Sequence, residues 1–224
     1  TGGVPSILTE ELVRGVKSEF QVNVETTGDQ IARDTVIRPD GSYFMVWQSN
    51  GQDGDLNGVY GKLYNAVGDV LRDEFQINTF TQGNQGQPRA GVDSLGNLVV
   101  TWRSDLQDGS LGGIYARRLG ADAFPLGDEF AVNSLTPGEQ TAPSISVNPN
   151  GTFTIAWSSA AGAGGIHAQQ FAANTTKNGG ELQVSQFGVR SQTAVEVAQS
   201  ANGNYVVVWQ ESGRDLDITI GIYA

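Results

Sequence analysis

The sequence predicts an all-β protein, a β-propeller with four blades of four antiparallel strands. The chain is repetitive, because 55, 55 and 52 residues separate its four tryptophans, Trp47, Trp102, Trp157 and Trp209. Acid-plus-apolar pairs recur at the same spacings and begin at Glu19, Glu74, Glu129 and Glu181. Its 30 glycines and short apolar runs are typical of short strands joined by tight turns. A period of about 50 residues with four strands in each unit is characteristic of a propeller blade.

The chain divides into four repeat units within a single domain, residues 1–224. The units span approximately residues 19–73, 74–128, 129–180 and 181–224, and residues 1–18 form an N-terminal extension or a partial blade. The spacing from the acid-plus-apolar pair to the tryptophan is constant. The three residues that the third unit lacks therefore fall between Trp157 and Leu182, which indicates a loop deletion.

Four strands are predicted in each unit, and the second unit shows them most clearly. They are residues 74–79, 88–93, 97–104 and 113–119. We interpret the first as the outer strand of the preceding blade and the other three as the first, second and third strands of their own blade. A glycine precedes each tryptophan strand at a predicted hairpin turn, at Gly41, Gly96, Gly151 and Gly203.

The tryptophan strand is apolar on both faces. In the first unit one face carries Tyr43, Met45 and Trp47, and the other carries the smaller Val46. A strand with two apolar faces is typical of a sheet that is packed on both sides. The tryptophans are therefore predicted to be core residues rather than stacking platforms for sugars.

The chain ends suggest how the ring closes. Residues 19–23 are predicted to be the outer strand of the last blade, whose own sequence stops at Ala224. Two other interpretations stay open, an excerpt of a larger propeller and a β-sandwich built from duplicated halves. Gly3-Val4 aligns with Gly58-Val59 as a spare third strand, and such a strand could pair with another molecule.

Composition excludes some classes of function. Thirteen basic residues against 24 acidic ones give a net charge of -11, which disfavours nucleic acid and anionic membranes as partners. No apolar run approaches the ~20 residues that span a bilayer. Cysteine is absent, so neither disulfides nor thiolate chemistry are available. The chain begins with Thr1, from which we expect a removed leader or a longer precursor.

The loop after the first tryptophan strand is the main candidate metal site. Asp53, Asp55 and Asn57 alternate and precede Gly58, the spacing with which oxygen ligands surround Ca²⁺. An EF-hand would need a Glu where Tyr64 stands. The corresponding acids of the second and fourth units are Asp108, Asp215 and Asp217, and the third unit has none. Calcium is therefore predicted at these six residues, with a solvated polar turn as the alternative.

Catalytic signals are sparse. His167 is the only histidine and stands where the other three units have Tyr60, Tyr115 and Tyr223, and no nucleophile elbow or phosphate-binding loop is present. The sequence therefore predicts that the protein is not an enzyme. One glutamine per unit, at Gln30, Gln85, Gln140 and Gln192, is predicted to bond a neighbouring blade. Ligand-binding residues are not assigned.

The Gly-Val-Tyr at 58–60, the Gly-Ile-Tyr at 113–115 and 221–223, and the Glu-Phe-x-Val/Ile-Asn segments resemble a known repeat. It is found in tandem in large secreted bacterial proteins of the adhesin and RTX type and is related to TolB-like propellers. The resemblance implies a non-catalytic extracellular adhesin, matrix or surface-layer module, secreted or on the cell surface and stabilised by calcium. Its partner would be itself, through terminal strands, or surface glycans. The alternatives are a lectin-like carbohydrate-binding propeller and a glycan-processing enzyme.

Overall fold

The structure, a computed structural model, describes residues 19–161, 164–186, 192–212 and 220–224. These residues form four antiparallel sheets, consistent with a propeller-like fold, and the strands of each sheet follow one another in chain order. We call the sheets blades 1 to 4. No helix in the described part of the chain is long and apolar enough to cross a membrane.

The strands run from the inner to the outer edge of each blade. Blade 1 contains β1 (Gln30–Ile37), β2 (Tyr43–Asn50), β3 (Asn57–Tyr64) and β4 (Val70–Gln76). Blade 2 contains β5 (Gln85–Val92), β6 (Leu98–Asp105), β7 (Gly112–Leu119) and β8 (Phe130–Ala131). Blade 3 contains β9 (Gln140–Val147), β10 (Phe153–Ser159), β11 (Gly165–Phe171) and β12 (Lys177–Gln183). Blade 4 contains β13 (Gln192–Gln199), β14 (Tyr205–Ser212) and β15 (Ile220–Tyr223).

The structure confirms how the strands were grouped. The segment that carries Glu74 and Phe75 ends β4, which pairs with β3 and is the outer strand of the preceding blade. The four predicted hairpin glycines adopt positive φ angles, from 81° at Gly41 to 90° at Gly203. Glycine is favoured there because side chains rarely adopt that conformation.

The blades pack through two kinds of face, which we call the Trp face and the Val face. The Trp face carries the tryptophan and the residues two and four before it, and the Val face carries the residues one and three before it. Between blades 1 and 2, Phe44 and Val46 pack on Trp102. The same pairing of faces joins blades 2 and 3 and blades 3 and 4. All four tryptophans are buried, as predicted for core residues.

The recurring glutamate is a latch between blades. Glu74 Oε2 accepts a hydrogen bond from the Val24 backbone N–H, at 2.6 Å. Glu129 Oε2 does the same for Thr79, at 2.6 Å, and Glu181 Oε2 for Ser134, at 2.5 Å. Each glutamate therefore holds the chain just beyond the outer-strand segment of the preceding repeat.

The recurring glutamines bond the connection that enters their own blade, whereas the prediction was a bond to a neighbouring blade. Gln85 is fully buried, receives a hydrogen bond from Asn78 and donates to the Gln82 carbonyl. Gln140 repeats both contacts with Asn133 and Pro137. The glutamine thus fixes the connection that enters the inner strand of each blade.

The N-terminal segment differs from its prediction. Residues 19–29 form no strand, although Phe20 lies on Tyr64 with ring centroids 5.6 Å apart. Phe130 lies on Phe171 at the same distance, so residue 20 takes the position that the outer strand of a preceding blade gives its phenylalanine. Ring closure by an N-terminal strand is not seen among the described residues and stays a prediction.

Candidate functional site

The four inner strands surround a cavity of about 310 Å³, which we call the axial cavity. Each inner strand contributes two of its lining residues, which are Ala32, Arg33, Gln87, Arg89, Ala142, Pro143, Ala194 and Val195. All eight lie two to four residues after the recurring glutamine. Residues far apart in the sequence therefore meet at one place.

A bulge in each inner strand creates this cavity lining. The pairing register shifts between Ala32 and Asp34 in β1, and at corresponding places in β5, β9 and β13. Gln87, Ala142 and Ala194 have φ angles of 56°, 52° and 49°. Positive φ is uncommon for residues other than glycine and is frequent at functional sites. The bulge re-aims the following side chains, as bulges beside active sites do.

The polar and charged side chains beside the cavity come from the position four residues after the recurring glutamine. This position is held by Asp34, Arg89, Ser144 and Glu196 in blades 1 to 4. Arg89 Nη2 lies 3.3 Å from Glu196 Oε1, which joins two blades that are not neighbours in the chain. Ser144 Oγ donates to Glu196 Oε2 at 2.9 Å and accepts from the Val197 N–H at 3.1 Å. The guanidinium of Arg89, the carboxylate of Glu196 and the hydroxyl of Ser144 thus form one network beside the cavity.

Asp34 is fixed by backbone donors. Its Oδ2 accepts from the Ala90 N–H at 3.0 Å and its Oδ1 from the Thr35 N–H at 2.8 Å. Its neighbour Arg33 donates to Gln48 Oε1 at 3.1 Å, and that oxygen also accepts from the Gln87 N–H at 3.0 Å. Polar contacts between blades therefore position Asp34 and Arg33.

The predicted metal ligands of blade 1 contact different partners. Asp53 folds over Gly58, because a Cβ atom added to Gly58 would lie 2.7 Å from Asp53 Oδ2. Asp55 Oδ2 accepts from the Gly83 N–H at 2.8 Å, and Asn57 Nδ2 donates to Asn84 Oδ1 at 2.6 Å. A metal at this loop would therefore have to displace two hydrogen bonds to the next connection.

The other predicted metal ligands are only partly visible. Asp108 repeats the position of Asp53, over Gly113, and Asp215 and Asp217 lie outside the described residues. The described ranges contain no group of three or more His, Asp or Glu side chains placed to hold a metal ion. Calcium binding stays a prediction.

Burial and the half-buried carboxylate of Asp53 both raise the pKa of Tyr60. Burial, and then the charges of Asp53 and Glu74, raise the pKa of Tyr60 to about 12. Burial and the charges of Asp108 and Glu129 do the same for Tyr115. Both phenols are therefore neutral at physiological pH and serve as packing residues.

His167 replaces a lost contact. In blades 1 and 2, Gln52 and Gln107 donate to the Oε1 atoms of Glu74 and Glu129, at 2.5 and 2.7 Å. Blade 3 has the shortened loop, and His167 Nδ1 lies 2.7 Å from Glu181 Oε1. Both side chains of that pair are buried, at 5% and 6% exposure. His167 is therefore the structural partner of Glu181, in the role that a glutamine has in blades 1 and 2.

Comparison with known proteins gives the fold a context. No protein-family model and no curated protein sequence matches the chain. Among solved structures, a thermostable family-43 glycoside hydrolase is similar with a TM-score of 0.51 and 12% identity, over 84% of this chain and 69% of that one. An endo-arabinase from Bacteroides thetaiotaomicron is similar with a TM-score of 0.52 and 16% identity, over 84% of this chain and 72% of that one.

These similarities correct two sequence-based expectations. The prediction of a non-catalytic adhesin, matrix or surface-layer module was wrong, as was the prediction that the protein is not an enzyme, because the proteins that share its fold are glycoside hydrolases. Side chains from different repeats meet at the axis of a propeller, so single sequence windows do not contain a site that is assembled in this way. At such low identity the similarity establishes the fold, and the activity must be argued from the residues of this chain.

The sequence contained one signal of the axial site. Comparing the four repeats at the position four residues after the glutamine gives Asp, Arg, Ser and Glu, a polar position at the start of otherwise regular inner strands. Because the four residues differ in type, the repeat does not identify them as a set. Only the fold brings Arg89 and Glu196 together.

Proposed function

We propose that the protein is a glycan-processing enzyme that cleaves glycosidic bonds at the axial cavity. The observation that carries the proposal is the Arg89–Glu196 pair, in which Arg89 lines the cavity and the Glu196 carboxylate, from a blade that is not adjacent, lies 3.3 Å from its guanidinium. The glycoside hydrolase fold of the similar structures supports it.

Glycosidic bond cleavage requires two carboxyl groups on either side of the scissile bond. Glu196 and Asp34 are the two acids that follow cavity-lining residues directly in their strands. Glu196 is 57% exposed, so it is open to a substrate, while Arg89 and Ser144 hold its orientation. We assign Glu196 as the carboxylate beside the anomeric carbon of the substrate. Asp34 is the second carboxylate of the pair.

The two arginines complete the site. Arg33 and Arg89 line the cavity, and their N–H groups are suited to sugar hydroxyl oxygens. Such donors orient a neutral substrate, for which the net negative charge of the chain is no obstacle. The endo-arabinase among the similar structures makes a neutral polysaccharide such as arabinan the first substrate to test.

Reducing-sugar release from arabinan, arabinoxylan and xylan tests the proposal. Glu196→Gln and Asp34→Asn should each lower the rate about 100-fold or more, the scale of a lost acid or base. Asp128→Asn changes an exposed carboxylate away from the axial cavity and should leave the rate unchanged. Absence of turnover by the folded protein on all three glycans would contradict the proposal, as would full activity of Glu196→Gln.

A second candidate function is carbohydrate binding at a groove between blades 3 and 4. This groove of about 330 Å³ lies at the hairpin turns and is lined mainly by amide side chains, including Asn148, Asn178 and Asn202. Gln170 stands where blade 2 has the longer Arg118, which reaches Asp93. Amides both donate and accept, as sugar hydroxyls do. Glycan binding that is lost in Asn202→Ala would favour this site.

A further inference from the structure

A tryptophan, a serine and a glutamine of blade 2 meet on its Trp face, where the inner strand begins. Gln85 of β5 lies directly opposite Ser104 of β6, and Trp102 precedes Ser104 by two residues. Side chains two residues apart on a strand point to the same side of the sheet, as do those of directly opposed residues. The three side chains are therefore neighbours on one face.

This place is closed to solvent, and two of its polar atoms have no protein partner. Trp102, Ser104 and Gln85 are each 0% exposed. Within the part of the chain that the structure describes, neither Trp102 Nε1 nor Ser104 Oγ makes a hydrogen bond. Such atoms are rare in folded proteins, because burying a polar group without a partner is costly. Two of them on one buried face point to a common partner that is not a protein group.

Gln85 offers a third polar group at the same place. Its Oε1 accepts from Asn78 at 3.4 Å, and its Nε2 donates to the Gln82 carbonyl at 2.8 Å. A primary amide carries two N–H groups. One N–H of Gln85 is therefore available to a further acceptor beside Ser104.

Blade 4 shows what this place holds when the chain itself fills it. Glu211 stands at the position of Ser104, directly opposite Gln192. Its Oε2 accepts from Trp209 Nε1 at 3.3 Å and from Gln192 Nε2 at 2.9 Å. One oxygen atom between the indole and the amide therefore satisfies both donors.

The unpaired indole N–H recurs in the other blades that carry serine. Trp47 Nε1 and Ser49 Oγ of blade 1 are buried without a hydrogen bond to any described residue, and so is Trp157 Nε1 of blade 3. In blade 3, where the loop is shorter, Ser159 Oγ accepts from the Ala161 N–H at 3.1 Å. The feature thus belongs to the repeat and not to one irregular turn.

We propose that blade 2 binds one water molecule between Trp102, Gln85 and Ser104. The water oxygen accepts from the Trp102 indole N–H and the Gln85 amide N–H, and the water donates to Ser104 Oγ. It takes the place that Glu211 Oε2 has in blade 4. About three hydrogen bonds are typical of a buried water.

The chemistry and the size of the place select water. The three protein groups are neutral, and an ion without a countercharge is far more costly to bury than a neutral molecule. The two N–H donors need an acceptor, which an apolar occupant does not supply. Serine is shorter than glutamate, so the room that the Glu211 carboxylate takes in blade 4 is left beside Ser104.

The water has a structural role and takes no part in the proposed cleavage of glycosidic bonds. It fixes the indole ring of Trp102, on which Phe44 and Val46 of blade 1 pack. The orientation of that ring sets the surface that blade 1 meets. The water therefore supports the contact between blades 1 and 2.

A high-resolution crystal structure of the protein tests the site directly. We expect an electron-density peak within hydrogen-bonding distance of Trp102 Nε1, Gln85 Nε2 and Ser104 Oγ. An ordered blade 2 without that peak would overturn the proposal, as would a protein group bonded directly to Trp102 Nε1. A peak that gives the anomalous signal of bromide after a bromide soak would overturn it too, because the ligand would then be an anion.

Solution NMR tests the same site outside a crystal. The four tryptophans give four indole N–H signals. In nitrogen-15-edited NOE spectra, Trp102 should show a cross-peak to water with the sign of a long-lived bound molecule. Trp209 is the internal control and should show none, because its N–H is bonded to Glu211. A Trp102 signal without that cross-peak would contradict the proposal.

Two variants of Ser104 separate the water from other sources of the signal. Ser104→Ala removes the hydroxyl, whose proton also exchanges with solvent, and leaves the water two partners. The Trp102 cross-peak should persist in this variant, and its loss from a folded protein would assign the signal to the hydroxyl and overturn the proposal. Ser104→Glu copies blade 4, so its carboxylate should displace the water and remove the cross-peak. A cross-peak that stays in folded Ser104→Glu would place the water elsewhere.

Discussion

The packing of Gly61 against Phe44 gives a sharp test of how the blades are fitted together. A Cβ atom on Gly61 would lie 2.8 Å from Phe44 Cε2 and 3.1 Å from Ile77 Cδ1, and both neighbours are fully buried. Blade 2 has Val99 and Ala116 at the positions of Phe44 and Gly61. A large residue beside glycine in blade 1 thus corresponds to a medium residue beside alanine in blade 2.

We predict a strong coupling between the two sites. Gly61→Ala should cost about 1–3 kcal/mol through overpacking. Phe44→Val should cost about 2–4 kcal/mol, somewhat less than the ~3–5 kcal/mol typical of Phe→Ala, because it leaves a smaller cavity. In the Phe44→Val background the alanine fills part of that cavity, so Gly61→Ala should become neutral or stabilising.

A double-mutant cycle measured by urea unfolding tests this coupling. The expected coupling free energy is about 1–3 kcal/mol in favour of the double variant. If Gly61→Ala costs the same in both backgrounds, Phe44 does not set the space above residue 61 and the size-matching account of this interface is wrong.

Three further predictions follow from the latches and loops. Glu129→Ala removes the acceptor for two backbone N–H groups, of Thr79 and Phe80, and should cost about 1–3 kcal/mol in urea unfolding, with Asp128→Ala as a neutral control. Burial raises the pKa of Glu181, but hydrogen bonds from His167, Ser134 and Leu135 outweigh it and lower the pKa below its ordinary value of 4.5. The stabilisation from Glu181 is therefore full above pH 4.5 and lost as pH falls through the folded-state pKa, so Glu181→Gln should flatten the acid limb of the stability profile; an unaltered limb would exclude this role. If Ca²⁺ binds the first acidic loop, millimolar metal should raise the thermal midpoint and Asp53→Asn should abolish the rise, whereas an unchanged midpoint would remove calcium from the account.

Much of the architecture followed from the repeat alone. Each unit must place its tryptophan in a strand that is apolar on both faces, so the position of Trp102 in a central strand could be predicted without a structure. The assignment of residues 74–76 to the outer strand of the preceding blade followed from the same alignment. Such features recur in every unit because every interface between blades has the same physical requirements.

The axial site could not be predicted in this way. Arg89 and Glu196 occupy the same position in different repeats, and their contact depends on the angle between blades rather than on any local pattern. The exposure of Val206 was equally hidden, because this residue has the sequence pattern of a buried one, yet none of the described blades covers it. The calcium prediction considered each loop alone, whereas Asp55 and Asn57 bond the next connection.

The most direct test of the central claim is hydrogen–deuterium exchange on the Glu196→Gln variant, with and without an arabinan or xylan oligosaccharide. The substitution slows turnover, so a bound substrate can be located. We expect protection of the inner-strand segments at residues 32–35, 87–90, 142–145 and 194–197, which surround the axial cavity. Protection confined to residues 148–152 and 199–204 would place the glycan in the groove between blades 3 and 4 and contradict an axial active site.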